Sequence, residues 1–165
     1  FTGSVSALML KKAGARFIIL GHSENRREGE TPQLINKKIN SALNENLNVI
    51  FCIGETASEK KQGKTLSVLY NQLKNSIDKK FDLNKIIFAY EPVWSIGTGK
   101  TPRIRYLQKM TMYIKHFFKT KKLLNLVVVV SQLAYYRYHC YIDLRFKRLF
   151  MMVHGQNGAK TKNYQ

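Results

Sequence analysis

Four short apolar runs constrain this chain more than any other feature. RFIIL (16–20), NVIFCI (48–53), KIIFAY (85–90) and LVVVV (126–130) are rich in Ile, Val and Phe. They have the length and continuity of strands buried on both faces of a parallel sheet. Between them the period changes. Ile35, Ile39, Ala42, Leu43 and Leu47 recur at helical spacing, as do Leu66, Leu69, Tyr70, Leu73 and Ile77, and then Leu107, Met110, Ile114, Phe117 and Phe118. A further helix is expected over 6–15, stopped near Gly14. Thr31-Pro32 and Thr101-Pro102 each offer an N-cap hydroxyl followed by proline at the first helical position, where its missing N–H costs nothing. Thr65 is the expected cap of the middle helix. Helix and strand alternate four times, which specifies an α/β fold with parallel strands. Strand starts lie 32, 37 and 41 residues apart, as in ordinary βα units. Four strands suit an open doubly wound sheet or part of a barrel, and periodicity does not choose.

Composition bounds the function classes. The chain has 165 residues, enough for one domain with a substantial core, and 44% hydrophobic with 23% charged residues is a globular balance. No apolar run approaches the roughly 18 residues of a membrane span. FTGSVSALML lacks the basic start and cleavage-type ending of a signal peptide. A first residue of Phe reads as an excerpt or a broken frame. Cys52 and Cys140 form neither a CxxC pair nor a disulfide framework, so a reducing cytoplasm is expected. The net charge of +18 is uneven: residues 1–102 hold 15 Lys+Arg against 9 acids, whereas 103–165 hold 13 against Asp143 alone. A polyanion-binding face is one reading of that bias, and AT-rich coding is the other. From Ser131 onward the periods dissolve, so the expected division is a domain over 1–130 and an aberrant basic tail over 131–165 without assigned structure.

In parallel α/β folds, function gathers at the C-terminal ends of strands. The first run is followed by GHSENRREGE (21–30) with His22, Ser23 and Glu24, the second by Gly54-Glu55, and the third by Glu91 and then PVWSIGTGK. The fourth is followed by SQLAYY, with no evident catalytic group. His22 and Glu91 thus stand at equivalent strand ends where their side chains can converge. A carboxylate can take a proton from a carbon next to a carbonyl, and an imidazole can donate to the carbonyl oxygen as charge develops there. GTGKT (97–101) looks like the end of a phosphate-binding loop, but the leading glycine of that motif would fall on Trp94. A hinged flap fits better. Pro92 stiffens one end, Gly97 and Gly99 free the other, and Val93, Trp94 and Ile96 can exclude water.

These motifs carry a resemblance. AYEPVWSIGTGK resembles the sixth strand and lid of the triosephosphate isomerase family, ILGHSENRREGET its electrophile loop, VIFCIGET its fifth strand, and FTG the end of its third, dimer-forming loop. The resemblance covers about residues 1–130 in the family's order. It implies part of an eight-stranded (β/α)8 TIM barrel, parallel strands four to seven with their helices, interconverting dihydroxyacetone phosphate and glyceraldehyde 3-phosphate with neither cofactor nor metal. Glu91 then matches the catalytic base and His22 a neutral electrophile, a pKa logic for which this family is itself the standard illustration. Ser23 and Glu24 are supporting residues. Pro92, Val93, Trp94, Ser95, Ile96, Gly97, Thr98, Gly99 and Lys100 match the lid, with the Gly97 amide on the substrate phosphate. The implied partners are a triose phosphate and a second copy of the chain, in the cytoplasm, with no membrane and no nucleic acid.

The sequence also departs from the family. The Asn-x-Lys segment of the first strand and the Tyr-Gly-Gly-Ser and Gly-Gly segments after the last two strands have no counterpart here, and Asn25 replaces an arginine. Impaired turnover is therefore expected, with a frameshift near residues 125–132 as the expected origin of the tail. The competing expectation is a non-catalytic remnant that binds polyanions through its basic, Tyr- and Phe-interleaved C-terminal third.

Overall fold

Ser6 starts the first helix because its Oγ accepts the Met9 N–H at 3.2 Å, and Gly14, at φ 89°, turns the chain out of it. The same local logic repeats along the structure, a computed structural model that describes residues 4–96, 98 and 100–118 in full and, beyond them, the backbone of four strands. The elements are α1 (Ala7–Lys12), β1 (Phe17–Leu20), α2 (Ser23–Arg27), α3 (Pro32–Asn44), β2 (Asn48–Ile53), α4 (Ala57–Lys61), α5 (Thr65–Ser76), β3 (Ile86–Tyr90), α6 (Ile104–Phe117), β4 (Asn125–Val130), β5 (Tyr138–Asp143), β6 (Arg148–Val153) and β7 (Lys160–Tyr164). Strands β1 to β4 pair in parallel in chain order, and β4 to β7 continue the sheet antiparallel. The expected α/β architecture with four parallel strands is present. Within residues 131–165, to which the sequence assigns no structure, the backbone forms β5, β6 and β7. Side chains after Phe118, including those of the basic C-terminal face, lie outside the described residues, as do Phe1 to Gly3.

Sheet alternation separates two faces. Leu20, Val49, Phe51, Ile53, Ile86, Phe88 and Tyr90 pack with Ile35, Ile39 and Ala42 of α3, Leu69 and Leu73 of α5, and Leu107, Met110 and Ile114 of α6. Full burial of each large side chain is worth about 1.5–3 kcal/mol, so this layer holds the fold. The other face carries Ile50, Cys52 and Ala89, with Ile87 beside them. There Phe17 and Ile19 remain 51% and 38% exposed. Among the described residues β1 has a single strand neighbour, so its outer edge is open. No helix of the described residues is long and apolar enough to cross a membrane.

Several local expectations need correction. Thr31 and Pro32 start α3 as the sequence indicates, with the Leu34 N–H on Thr31 Oγ1. Thr101 and Pro102 do not start α6. Its N-cap is Arg103, and the buried Pro102 ring occupies the approach to the helix rather than its first turn. Thr65 is the first residue of α5 instead of its cap, and its hydroxyl lies 3.4 Å from that of Tyr106. Leu66 and Tyr70 are largely exposed because the buried stripe of α5 narrows to Leu69 and Leu73; Tyr70 instead packs edge-on against Phe117.

Candidate active site

Odd-numbered positions of β3 point away from the helices, so Ile87 and Ala89 lead to Glu91 on the open face. Glu91 is 2% exposed, and its N–H donates to the Ile53 carbonyl at 2.7 Å, which ties it to the end of β2. At the end of β1, Gly21 takes φ 72° and turns the chain into α2, whose N-cap is His22. Glycine is the residue that adopts this backbone without strain. The His22 Nδ1 accepts the Glu24 N–H at 3.4 Å, which directs the ring proton to Nε2.

His22 Nε2 lies 2.9 Å from Glu91 Oε1, and the Ser23 N–H donates to Glu91 Oε2 at 3.4 Å. By distance the imidazole and carboxylate are in contact. Among the described residues Oε1 lacks a hydrogen bond of good direction, while its closeness to the imidazole is the largest influence on the protonation of that ring. The Ser23 hydroxyl is buried beside them with no hydrogen-bond partner among the described residues, and Glu24, mostly exposed, brings Oε2 within 3.7 Å of His22 Nδ1. Two strands separated by β2 thus deliver an acid–base pair to one spot. Contact with Glu91 raises the His22 pKa above the ordinary histidine value, against the opposing effect of burial.

That shift has a sign that can be tested. A raised folded-state pKa adds stability that is complete below the unfolded value of 6.5 and is lost as pH rises through the folded value. Unfolding free energy, measured by denaturant titration, should therefore fall as pH climbs from about 6.5 into the range above it. The same measurement on His22→Gln should lack this component.

The residues after Glu91 have their own supports. A 3-10 turn at Val93–Ser95 follows Pro92, whose carbonyl accepts the Ser95 N–H and hydroxyl, each at 2.8 Å. The Val93 N–H donates to the Glu55 carbonyl at 3.1 Å. Ser95 is fully buried and Ile96 half-buried. The Thr98 hydroxyl donates to the Trp94 carbonyl at 3.0 Å and accepts the Lys100 N–H at 3.3 Å. Gly97 and Gly99 lie outside the described residues.

Sequence reasoning noted Glu55 only as following a strand. In the fold it is fully buried and accepts hydrogen bonds from the Tyr90 hydroxyl at 2.9 Å, Trp94 Nε1 at 2.7 Å and the Tyr106 hydroxyl at 2.6 Å. Lys60 Nζ stands 3.0 Å above the Trp94 ring centre, and Tyr106 meets that ring edge-on. Burial pushes the Tyr90 and Tyr106 hydroxyls up in pKa, with Glu55 adding to both shifts. The available signal was an acid one glycine beyond a continuous apolar strand. A cavity of about 460 Å³ at the C-terminal ends of α5 and α6, lined by Lys74, Ile77 and Phe117, holds no such acid–base pair. Among the described residues no cluster of His, Cys, Asp and Glu could hold a metal ion.

Comparison with known proteins identifies the family. The family model for triosephosphate isomerase matches residues 1–130. Triosephosphate isomerase of Mycoplasma mobile is 42% identical over 126 residues, covering 76% of this chain and 52% of the relative. That of Geobacter metallireducens is 50% identical over 104 residues, 61% of this chain and 41% of the relative. The crystal structure of triosephosphate isomerase from Bartonella henselae superposes with a TM-score of 0.69 at 33% identity, covering 78% of this chain and 54% of that one. The chain spans about half the length of the curated relatives it matches. Its parallel strands and helices are therefore a segment of a TIM barrel, and the chain belongs to the triosephosphate isomerase family.

Proposed function

We propose that Glu91 and His22 are the base and electrophile of a triose phosphate isomerisation site, that Pro92 to Lys100 form its lid, and that this chain alone turns over far more slowly than its full-length relatives. Glu91 takes a proton from the carbon beside the substrate carbonyl while His22 Nε2–H donates to the carbonyl oxygen. Glu91 then returns its proton to the neighbouring carbon while the other hydroxyl gives its proton back to His22 Nε2, which completes the exchange of dihydroxyacetone phosphate and glyceraldehyde 3-phosphate without a cofactor. The substrate enters between the two side chains and parts them. Glu91 then no longer raises the His22 pKa by contact, and the Glu24 N–H on Nδ1 favours the neutral ring. Ser23 holds the carboxylate through its N–H, and Glu24 flanks the imidazole. Homodimer assembly and a cytoplasmic role in triose phosphate metabolism follow from the same reading.

The observation that carries the proposal is the 2.9 Å approach of His22 Nε2 to Glu91 Oε1 from the ends of β1 and β3. The slow turnover rests on the open edge of β1. Water beside exposed Phe17 and Ile19 weakens electrostatic stabilisation, and a substrate held loosely loses the advantage of orientation.

Proton exchange is a more sensitive test than net turnover. Dihydroxyacetone phosphate incubated with the purified chain in deuterium oxide should gain label at the carbon next to the carbonyl, followed by NMR. Glu91→Gln should lower that rate by roughly 10²-fold or more. Equal exchange by the variant would remove Glu91 from its role. Relative-like turnover by the unmodified chain in a coupled assay would overturn the claim of impairment.

A further inference from the structure

Glycine is the most permissive backbone residue, and one stands immediately before the imidazole. In this fold Gly21 is not free to swivel. Its N–H donates to Glu30 Oε2 at 3.1 Å, and its carbonyl accepts from Arg26 Nε at 2.7 Å. Arg26 also donates from Nη2 to the Cys52 carbonyl at 3.1 Å, so one guanidinium spans the ends of β1 and β2. Glu30 is 7% exposed, and its other oxygen accepts from Lys38 Nζ of α3 at 2.6 Å. The space is closed as well: a Cβ on Gly21 would lie 2.8 Å from Arg26 Nη2 and 2.9 Å from the Cys52 carbonyl.

Each peptide group is planar, so its orientation is set by any hydrogen bond that fixes its N–H or C=O. The Glu30 bond fixes the plane before Gly21 and the Arg26 bond the plane after it. Together they set both backbone angles of the hinge and, through them, the direction of the next Cα–Cβ bond. We propose that Arg26 and Glu30, anchored on α3 by Lys38, are positioning residues for His22 that act through the Gly21 backbone to hold the imidazole opposite Glu91. A misplacement of about 1 Å at a reacting group can cost on the order of 10²-fold in rate. An arginine is suited to the task because its planar fork donates to two carbonyls at once, which a lysine ammonium does not reproduce.

The proposal rests on reading His22 and Glu91 as the proton-transfer pair, and its test reads position whether or not the chain turns over. The groups acting on the imidazole are Glu91, Glu24 and Arg27. The His22 Cε1 and ring nitrogen resonances, assigned by their loss in His22→Gln, are titrated by NMR in the full chain. The unmodified chain should titrate above 6.5. Arg26→Lys keeps the charge but lacks the fork, so a fall of the His22 value to or below 6.5 would report geometry rather than field. Glu30→Leu should do the same, while Glu30→Gln, which still offers an oxygen to the Gly21 N–H, should keep most of the elevation. If Arg26→Lys and Glu30→Leu lower the melting temperature yet leave the His22 titration unmoved, both residues are structural only and the proposal fails. Should Glu30→Leu not fold, Arg26→Lys decides alone. An unmodified His22 that titrates at the ordinary value would instead sink the pair itself.

Discussion

Gly54→Ala should cost the chain roughly 3 kcal/mol or more, because the added methyl has nowhere to go. A Cβ at Gly54 would land on the Glu91 carbonyl oxygen and within 2.6 Å of its carbonyl carbon. These are backbone atoms, which cannot rotate aside as a side-chain tip can. Gly54 is also held from the opposite side, since the Gln72 amide accepts its N–H at 2.9 Å and donates to its carbonyl at 3.0 Å. The strain must therefore move the ends of β2 and β3 apart, and Glu91 rides on the segment that moves. Chemical denaturation should show the loss of stability, a large part of the 5–15 kcal/mol typical of a domain. Deuterium exchange into dihydroxyacetone phosphate should fall in the protein that remains folded. A Gly54→Ala chain of unchanged stability would mean that the two strand ends do not meet this closely.

Glu55→Leu should lower stability by about 2–4 kcal/mol, measured the same way. Leucine removes a buried charge and its desolvation cost, but it takes the acceptor from the Tyr90 hydroxyl and Trp94 Nε1 and leaves Tyr106 to the more distant Thr65 hydroxyl at 3.4 Å. The Tyr90 hydroxyl is worst placed, because Tyr90 is completely buried and no water reaches it. Trp94 and Tyr106 are partly exposed and can recover some hydration. Glu55→Gln keeps one amide oxygen facing the donors and should cost about 1–2 kcal/mol. This ordering separates the two explanations: if the carboxylate merely fills space, leucine and glutamine should be alike. The loss also loosens the turn after Glu91, since Trp94 Nε1 bonds the carboxylate and Val93 the carbonyl of the same residue.

The fold was legible where its signals are local. All four apolar runs became parallel strands, since an uninterrupted Ile/Val/Phe stretch has few other homes in a chain with helices between. Short elements were harder. The five-residue α2 and α4 have no period to detect, and α4 is fixed by a capping box between Thr56 and Glu59. Thr101-Pro102 misled because a sequence shows that a proline suits a helix start but not whether its ring is wanted in the core. His22 and Glu91 stood out because strand ends focus chemistry whatever the loops contain. Glu55 did not, because its partners lie 35, 39 and 51 residues away and no local pattern links them. Arg26 and Glu30 were equally hidden, since in sequence they are two charges among several.

Trp94 is the only tryptophan in the chain. Its indole sits in the turn at Val93–Ser95 with a carboxylate on Nε1 and an ammonium over its face. Indole emission, excited beyond the tyrosine absorption, therefore has a single origin, and both neighbours bear charges to which an indole excited state responds. Any event that lifts this turn away from α4 changes the colour or the yield of that light, so the molecule carries its own optical gauge of whether the turn is seated.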